Sequence, residues 1–249
     1  MKNYLNKFGI EFKNHKIKLP NWCKRIKIDI GLSENAPQTR IWLENQPDLI
    51  VFGFEPVKDN YKKILKGSSK WSNKLDPVHI GKRVFIINSA IGNVDYPTKR
   101  KIYVTTKDKG CSSIYKPKWP KILKTETTEI FSLDNFVNLL PLDNYEFIEH
   151  IKSDCQGADF DILQKADYTL RNTAVYTIET EDKQYLHTNN NVKTVTRFFK
   201  KKNFSKFSCF KKILNYPYLN NFNVSDPTFY NKKFLTKFNK KNFFIYQRG

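Results

Sequence analysis

The sequence lacks any apolar run that approaches the roughly 20 residues a membrane-spanning helix requires. Its N-terminus, which begins MKNYLNKFGIEF, is basic but has neither a continuous hydrophobic region nor a small-residue cleavage site. We therefore expect no signal peptide and no membrane span, and we predict a cytoplasmic protein.

Cysteine is scarce and dispersed. Cys23, Cys111, Cys155 and Cys209 lie far apart and form no C-x-x-C pair, which disfavours a zinc site or a disulfide framework. We predict no metal site and a reducing environment. Internal repeats and low-complexity linkers are also missing, and 249 residues suffice for one large domain with a sizeable core.

Acidic residues are few beside basic ones, 24 against 44, which gives a formal net charge of +20. Such a charge is typical of nucleic-acid binding. The same lysines are also explained by A/T-rich codon usage, since Asn, Ile, Phe and Tyr are abundant too. The densest basic clusters, 200–202 and 237–241, lie near the C-terminus. A solvated face or an acidic substrate, such as a phosphorylated or uronic sugar, therefore stays open beside a polyanion site.

The segment 24–56 has the pattern of a strand, a helix and a second strand. Ile26, Ile28 and Ile30 alternate with polar residues, and the apolar run 49–52 follows a short amphipathic stretch. Two strands joined by a helix pair in parallel through a right-handed crossover. Ligands of such sheets bind beyond the carboxyl ends of the strands. An acidic residue that ends the second strand suits the two hydroxyls of a ribose, so we predict a nucleoside-containing cofactor.

The turn after the first strand lacks the G-x-G-x-x-G pattern, since Ser33 and Asn35 stand where glycines might be. This absence disfavours a dinucleotide, whose pyrophosphate needs a close, glycine-rich approach. A cofactor without phosphates does not need it. Asn35 is instead predicted to cap a helix entered through Ala36 and Pro37.

The rest of the chain is predicted to form one domain over residues 23–249, preceded by an N-terminal extension over 1–22 that packs loosely and ends near Pro20. Further strands are predicted at 83–87, 101–106, 147–153, 174–179, 204–210 and 242–246, and helices at 59–66, 133–140, 158–165 and 192–202. Ser132 is predicted to cap the second of these helices.

Polar residues follow several of these strands at what is predicted to be one edge of the sheet: Asp29 and Gly31, Glu55, Asn88 to Ala90, and Asp154. The repetition favours a cofactor cleft over an ordinary surface.

Five segments, in order and at matching spacing, resemble the FkbM family of S-adenosylmethionine-dependent methyltransferases. They are Ile28–Gly31, Phe52–Pro56, Asn88–Gly92 with Cys111–Pro117, Leu133–Phe136, and Ile151–Asp159 leading to Leu163. The resemblance spans about residues 26–246. It implies a class I methyltransferase fold, an α/β (Rossmann-like) fold with a seven-stranded, mostly parallel sheet, an antiparallel last strand and helices on both faces.

The resemblance also implies where S-adenosylmethionine (SAM) would bind. Asp29 and Gly31 would border its methionine part and Glu55 would take the ribose hydroxyls. Asn88, Ser89 and Ala90 would lie near the adenine. The predicted cofactor-binding set is completed by Ser33 and Pro56.

For a hydroxyl acceptor, a carboxylate near the methyl group could serve as general base. Asp154 is the first candidate, and Glu179 and His187 are weaker ones. Asp154 could instead hold a divalent metal or brace the loop, and His187 could be an ordinary surface residue. Ser112 and Ser113 are predicted to line the acceptor side, unless they merely end a turn.

The fourth-strand motif departs from the family's common Asp-x-Glu-Gly-x-Glu, since it reads Asp154, Gln156, Gly157 and Asp159. Gln156 is predicted to bind substrate, but it could not replace a glutamate as a base.

Three functions are compatible with these patterns. The leading one is O-methylation of a small molecule or glycan. The second is RNA ribose methylation, motivated by the charge. Base amino-methylation is disfavoured because its Pro-Pro-aromatic tetrad is missing after the fourth strand, and the similar segment 215–218 lies too late. The third is a non-catalytic binding module, suggested by the altered glycine turn.

Overall fold

The structure, a computed structural model, describes residues 1–106, 109–181, 184–216 and 219–237. The strands of this part are β1 (Phe12–Lys13), β2 (Lys16–Ile17), β3 (Arg25–Ile30), β4 (Leu49–Phe54), β5 (Val84–Ile87), β6 (Ser89–Ile91), β7 (Thr98–Thr105), β8 (Ile122–Phe131), β9 (Ile148–Ser153), β10 (Thr173–Ile178), β11 (Thr180–Glu181), β12 (Phe204–Tyr216) and β13 (Leu219–Asn231). Its α-helices are α1 (Lys2–Leu5), α2 (Pro37–Asn45), α3 (Lys58–Lys66), α4 (Leu133–Val137), α5 (Asp159–Gln164), α6 (Asp167–Arg171) and α7 (Val192–Lys201).

The main sheet has eight strands. Strands β5, β4, β3, β9 and β10 run parallel in that spatial order, and β13 pairs antiparallel with β10. β10 and β11 pair with successive parts of one edge of β13, and β12 pairs with its other edge. The sheet is therefore seven strands wide, as expected for the class I methyltransferase fold.

Each face of the sheet is covered by its own apolar cluster. On one face Ile28 and Phe54 pack with Phe136 of α4 and Phe199 of α7. On the other face Trp42 of α2 packs with side chains of α3, β4 and β5. These side chains are almost fully buried, so the apolar alternation of the central strands provides the core of both layers.

A second sheet of three strands, in the order β6–β8–β7, lies beside the carboxyl ends of the main sheet. β7 pairs antiparallel with β8, whereas β6 pairs with β8 in parallel. The sequence predicted only the part of β7 at 101–106. β6 and β8 were missed, because β6 has three residues and most of β8 is polar and exposed or half-buried.

The N-terminal segment packs more closely than predicted. Leu5, Ile10 and Ile17 are buried in the main core cluster, and the Tyr4 hydroxyl donates a 2.6 Å hydrogen bond to the carbonyl of Asn88. The domain boundary at residue 23 stays a prediction.

Two local predictions were wrong. Asn35 does not cap α2, because Ala36 occupies the N-cap position in a left-handed conformation and the Asn35 side chain bonds Asn73 instead. The predicted helix 133–140 ends early, at Val137, although Ser132 caps it as expected.

Strand β13 was also missed, while the strand predicted at 242–246 lies outside the described residues. Much of the basic cluster 237–241 lies outside them too. In the part of the chain that the structure covers, no helix is both long and apolar enough to cross a membrane. The cytoplasmic location stays a prediction.

Candidate functional site

A cleft with a volume of about 310 Å³ opens at the carboxyl ends of the parallel strands. From β3 the chain proceeds to β4 and β5 on one side, whereas β9 and β10 lie on the other, so the strand order reverses between β3 and β9. Open parallel sheets bind ligands at this reversal. The volume lies at the lower end of the range of about 300–1,000 Å³ that is usual for small-molecule sites.

Eleven of the predicted site residues line this cleft: Gly31, Ser33, Glu55, Pro56, Ser89, Ala90, Ser112, Ser113, Asp154, Gln156 and Glu179. They come from segments as far apart as residues 31 and 179, which the sheet brings to one edge. The individual roles assigned to them remain predictions.

Gly31 forms the floor of the cleft where β3 approaches the end of β9. Its φ of +87° is left-handed, and a Cβ atom there would lie 2.0 Å from the carbonyl oxygen of Asp154. The backbone amide of Asp154 in turn donates to the carbonyl of Ile30. Only glycine fits this contact, so Gly31 is required for the close approach of these two strand ends.

Glu55 directly follows β4 and is only 3% exposed. One of its oxygens accepts hydrogen bonds from the Val57 amide at 2.9 Å and from Asn60 at 3.4 Å. Burial raises the pKa of Glu55 to about 8, although backbone hydrogen bonds from Val57 and Ser33 partly oppose the shift. The carboxyl group is therefore held rigidly at the cleft wall.

Because Glu55 is buried, we expect its contribution to the protein's stability to decrease as the pH rises. An unfolded glutamate ionises near its ordinary pKa of 4.5, whereas the folded one keeps its proton up to about pH 8. Between these values the folded state binds more protons, so this group's contribution to the free energy of unfolding falls by up to about 1.4 kcal/mol per pH unit. We expect Glu55→Gln, which stays neutral, to flatten that slope in urea unfolding measured across this interval. An unchanged slope would show that Glu55 is ionised in the folded protein.

On the other side of the cleft, Gln156 bridges two carboxyl groups. Its side-chain amide donates to Asp154 and to Glu179, each at 2.8 Å. The other oxygen of Asp154 accepts a 3.1 Å hydrogen bond from Lys152. Gln156, Asp154 and Glu179 are thus joined with Lys152 in one hydrogen-bond network.

This network shifts the pKa values of the two carboxyl groups, Asp154 and Glu179, in opposite directions. Burial raises the pKa of Glu179 well above its ordinary value, and the charge of Asp154 raises it further. Burial acts in the same direction on Asp154, but the Lys152 charge and the hydrogen bond from Gln156 outweigh it and hold that pKa below its usual range. Asp154 is therefore ionised, while Glu179 keeps its proton.

The orientation of Gln156 is fixed from two sides. Its side-chain oxygen accepts a 2.6 Å hydrogen bond from the Tyr185 hydroxyl, and its backbone carbonyl accepts one of 2.7 Å from Ser113. A glutamate here would have no hydrogen to donate to Asp154 or Glu179 unless it were protonated. The hydrogen-bond partners around residue 156 therefore suit a glutamine better than the glutamate of the family motif.

Three predicted site residues do not line the cleft. Asp29 lies beneath it, 1% exposed, where one oxygen accepts a 2.6 Å hydrogen bond from Thr39. The Asn88 side chain donates to the carbonyls of Glu55 and Pro56 and so braces the end of β4. His187 is exposed, in a turn where its φ is +64°. The structure does not bring His187 to the other candidates for a base.

Several lining residues were missed, among them Cys111, Gln184 and Asp226. Asp226 lies on β13, which the sequence did not predict, so no strand end pointed to it. Gln184 and Cys111 belong to loops that only the tertiary fold carries to the cleft.

One buried polar group in the wall of the cleft is the hydroxyl of Ser89. The Ser89 side chain is fully buried, lines the cavity, and its hydroxyl has no hydrogen-bond partner among the described residues. Together with the carboxyl of Glu55 across the end of β4, it offers acceptors and donors suited to a nucleoside. The residues present therefore fit the nucleoside part of SAM. Nowhere in the described ranges do three or more His, Cys, Asp or Glu residues form a group that could hold a metal ion.

Comparison with known proteins assigns the chain to a protein family. The model of the methyltransferase FkbM domain matches residues 34–206, and no curated protein matches the sequence. The fold is similar to that of methyltransferase FkbM from Methylobacillus flagellatus KT, with 10% identity over 91% of this chain and 50% of that one and a TM-score of 0.45. The chain thus spans half the length of that protein. It is also similar to the SAM-bound magnesium protoporphyrin IX methyltransferase (ChlM) from Synechocystis PCC 6803, with 6% identity over 85% of this chain and 72% of that one and a TM-score of 0.44.

The sheet and the cleft at its carboxyl edge define a protein of the class I methyltransferase fold. The match over 34–206 places it further: the chain belongs to the FkbM methyltransferase family.

Proposed function

We propose that the protein is a SAM-dependent methyltransferase that methylates a hydroxyl group of a small molecule or saccharide. The observation that carries the proposal is that one cleft joins Glu55, which follows β4, to the Asp154–Glu179 pair beyond β9 and β10. The first is suited to a ribose and the second to proton transfer.

The cofactor would be held by the half of the cleft over β3, β4 and β5. Glu55 would accept hydrogen bonds from the ribose hydroxyls, and Ser33 and Pro56 would flank it. Ser89 and Ala90 would border the base, with the Ser89 hydroxyl finding its partner there. Gly31, which lines the cleft next to Asp154, would border the methionine part. When bound, SAM supplies an electrophilic methyl group.

The proton of the acceptor hydroxyl would go to Asp154, the ionised member of the pair. An oxygen that has begun to bond to carbon is a far stronger acid than a free hydroxyl, so a carboxylate of lowered pKa suffices. Glu179, which keeps its own proton, and Gln156 would hold Asp154 in position. Positioning and electrostatics then carry most of the catalysis.

One observation favours a second candidate, ribose methylation in RNA: the net charge of +20. This function predicts RNA binding that weakens steeply as salt is raised. Absence of RNA binding at low salt would remove the candidate without affecting the first.

Substitution of Asp154 tests the proposed chemistry. We expect Asp154→Asn to bind SAM with an affinity within about threefold of the wild type. With hydroxylated acceptors it should form S-adenosylhomocysteine about 100-fold more slowly, because removal of a general base typically causes a loss of this size. Asp95→Asn removes one carboxylate from a surface ion pair with Lys165 and serves as the control. Full activity of Asp154→Asn would remove Asp154 from the mechanism.

A further inference from the structure

The N-terminal segment (residues 1–17) contacts the elements that carry the cofactor half of the cleft. Leu5, Ile10 and Ile17 anchor it in the main core cluster. None of its residues, all of which the structure describes, lines the cleft. The segment also lies outside the range 34–206 that the family model matches. Any effect of this segment on the cofactor must therefore pass through its neighbours.

Asn88 forms the corner between the two sheets, since β5 ends immediately before it and β6 begins immediately after it. Its side chain donates to the carbonyls of Glu55 at 2.8 Å and of Pro56 at 3.2 Å. Its own carbonyl accepts the 2.6 Å hydrogen bond from the Tyr4 hydroxyl. The corner is thus held on one side by the residues after β4 and on the other by the N-terminal segment.

This corner sets the position of Ser89. A peptide unit is planar, so the hydrogen bond that holds the Asn88 carbonyl also fixes the plane that contains the amide and the Cα atom of Ser89. Ser89 is the residue whose buried hydroxyl lines the cleft and has no hydrogen-bond partner among the described residues. Tyr4 is therefore one peptide unit away from a group that faces the ligand.

A second contact joins the segment to the helix that supports Glu55. Phe8 packs edge-on against Tyr61 of α3, with 6.0 Å between the ring centroids, and Tyr4 packs against Phe8 at 5.2 Å. Asn60, which precedes Tyr61 on α3, donates to the Glu55 carboxyl at 3.4 Å. The segment thus contacts the elements that carry both polar groups of the nucleoside half.

We propose, on the basis of the SAM-dependent function above, that Tyr4 is a positioning residue for the nucleoside part of the cofactor. Its hydroxyl holds the Asn88 corner in the binding geometry before the ligand arrives, so little of the binding free energy is spent on ordering it. Coupling between two sites is reciprocal. A ligand that binds the ordered corner therefore also stabilises the N-terminal segment.

Tyr4→Phe tests the proposal, because it removes the hydroxyl and keeps the ring. The full-length protein is titrated by calorimetry with S-adenosylhomocysteine (SAH) and with 5′-methylthioadenosine, which has the nucleoside but lacks the amino-acid part. We expect the variant to bind both ligands about fivefold more weakly, the effect expected for one hydrogen bond.

Tyr145→Phe is the matched control. Tyr145 is half-buried like Tyr4, and its hydroxyl also donates to a backbone carbonyl, that of Cys23 at 3.3 Å. Cys23 precedes β3 and so lies at the end of the sheet opposite the cleft. Urea unfolding should show comparable losses of stability in the two variants, while Tyr145→Phe binds SAH as the wild type does.

Amide hydrogen exchange gives a second readout. The amides of Leu5 and Gly9 bond to carbonyls within the segment, those of Met1 and Asn6. Saturating SAH should slow their exchange about threefold or more in the wild type, and should not slow it in Tyr4→Phe.

Unchanged affinity of Tyr4→Phe for both ligands, beside a wild type that binds SAH, would overturn the positioning role and leave the proposed function standing. A loss confined to SAH would also overturn it, because the effect would then lie on the amino-acid part. Failure of the wild type to bind SAH would refute cofactor use and the role of Tyr4 together.

Discussion

Glu55→Ala is expected to weaken the binding of SAH by about 100-fold or more. The carboxyl of Glu55 lines the cleft at the end of β4, where it is proposed to accept both ribose hydroxyls. A hydrogen bond contributes about 0.5–1.5 kcal/mol, and a buried polar group left without its partner costs about 1–3 kcal/mol, so the loss of the carboxyl, which leaves both ribose hydroxyls without a partner, exceeds the loss of an ordinary contact. Calorimetric titration of the wild type and the variant measures the difference directly.

Two variants separate binding from folding. Glu55 also accepts hydrogen bonds from Val57 and Asn60, so its removal costs some stability. Glu55→Gln keeps the shape of the side chain but replaces one carboxyl oxygen, which can accept a hydrogen bond, with an NH2 group, which cannot. We expect this variant to weaken SAH binding about 10-fold. Glu44→Ala, at an exposed position on α2, should bind as the wild type does. Unchanged affinity in a folded Glu55→Ala variant would show that the ribose assignment is wrong.

Gly31→Ala is expected to have the largest effect on stability, with a loss of roughly 3 kcal/mol or more in the free energy of unfolding. A Cβ atom at Gly31 would meet the carbonyl oxygen of Asp154 at 2.0 Å and its carbonyl carbon at 2.9 Å. Backbone atoms cannot move aside as a side chain can, so β3 and β9 would have to separate. The cost adds to the strain of about 1–2 kcal/mol that a side chain brings to a left-handed conformation.

Gly9→Ala is the matched control for this strain. Gly9 has a similar φ of +76°, but an added Cβ would meet nothing within 4 Å. We expect it to lose only about 1–2 kcal/mol. Urea unfolding of both variants gives the comparison, and equal losses would mean that the close approach of Gly31 to Asp154 does not exist.

The sequence allowed the central sheet to be predicted, because its strands are short apolar runs that end in polar residues. The β3–α2–β4 unit confirms the prediction for 24–56. Parallel strands carry their carboxyl ends to one edge, so the sequence predicts that Gly31, Glu55 and Asp154 lie together, and all three line the cleft.

Strand β13 could not be predicted in the same way. Its sequence contains several asparagines and Pro227, which favour turns, and it forms a strand only because it pairs with β12 and β10. Tertiary pairing thus overrides local propensity. Asp226 was missed for that reason, although it lines the cleft.

The role of Gln156 also depends on contacts that no motif encodes. Its amide donates to two carboxyls because Tyr185, distant in sequence, fixes its oxygen. Net charge was similarly uninformative about the cleft. The chain as a whole is strongly basic, while the cleft is lined by Glu55, Asp154, Glu179 and Asp226. Charge counts describe a surface, and a site depends on where individual charges lie.

The most direct test of cofactor binding is calorimetric titration of the protein with SAH, with NAD⁺ as the contrasting ligand. The cleft has one tight glycine turn and no glycine-rich phosphate loop, so it should bind SAH with a dissociation constant in the micromolar range and should not bind the dinucleotide. Failure to bind SAH, or equal binding of NAD⁺, would contradict the assignment of this cleft to SAM.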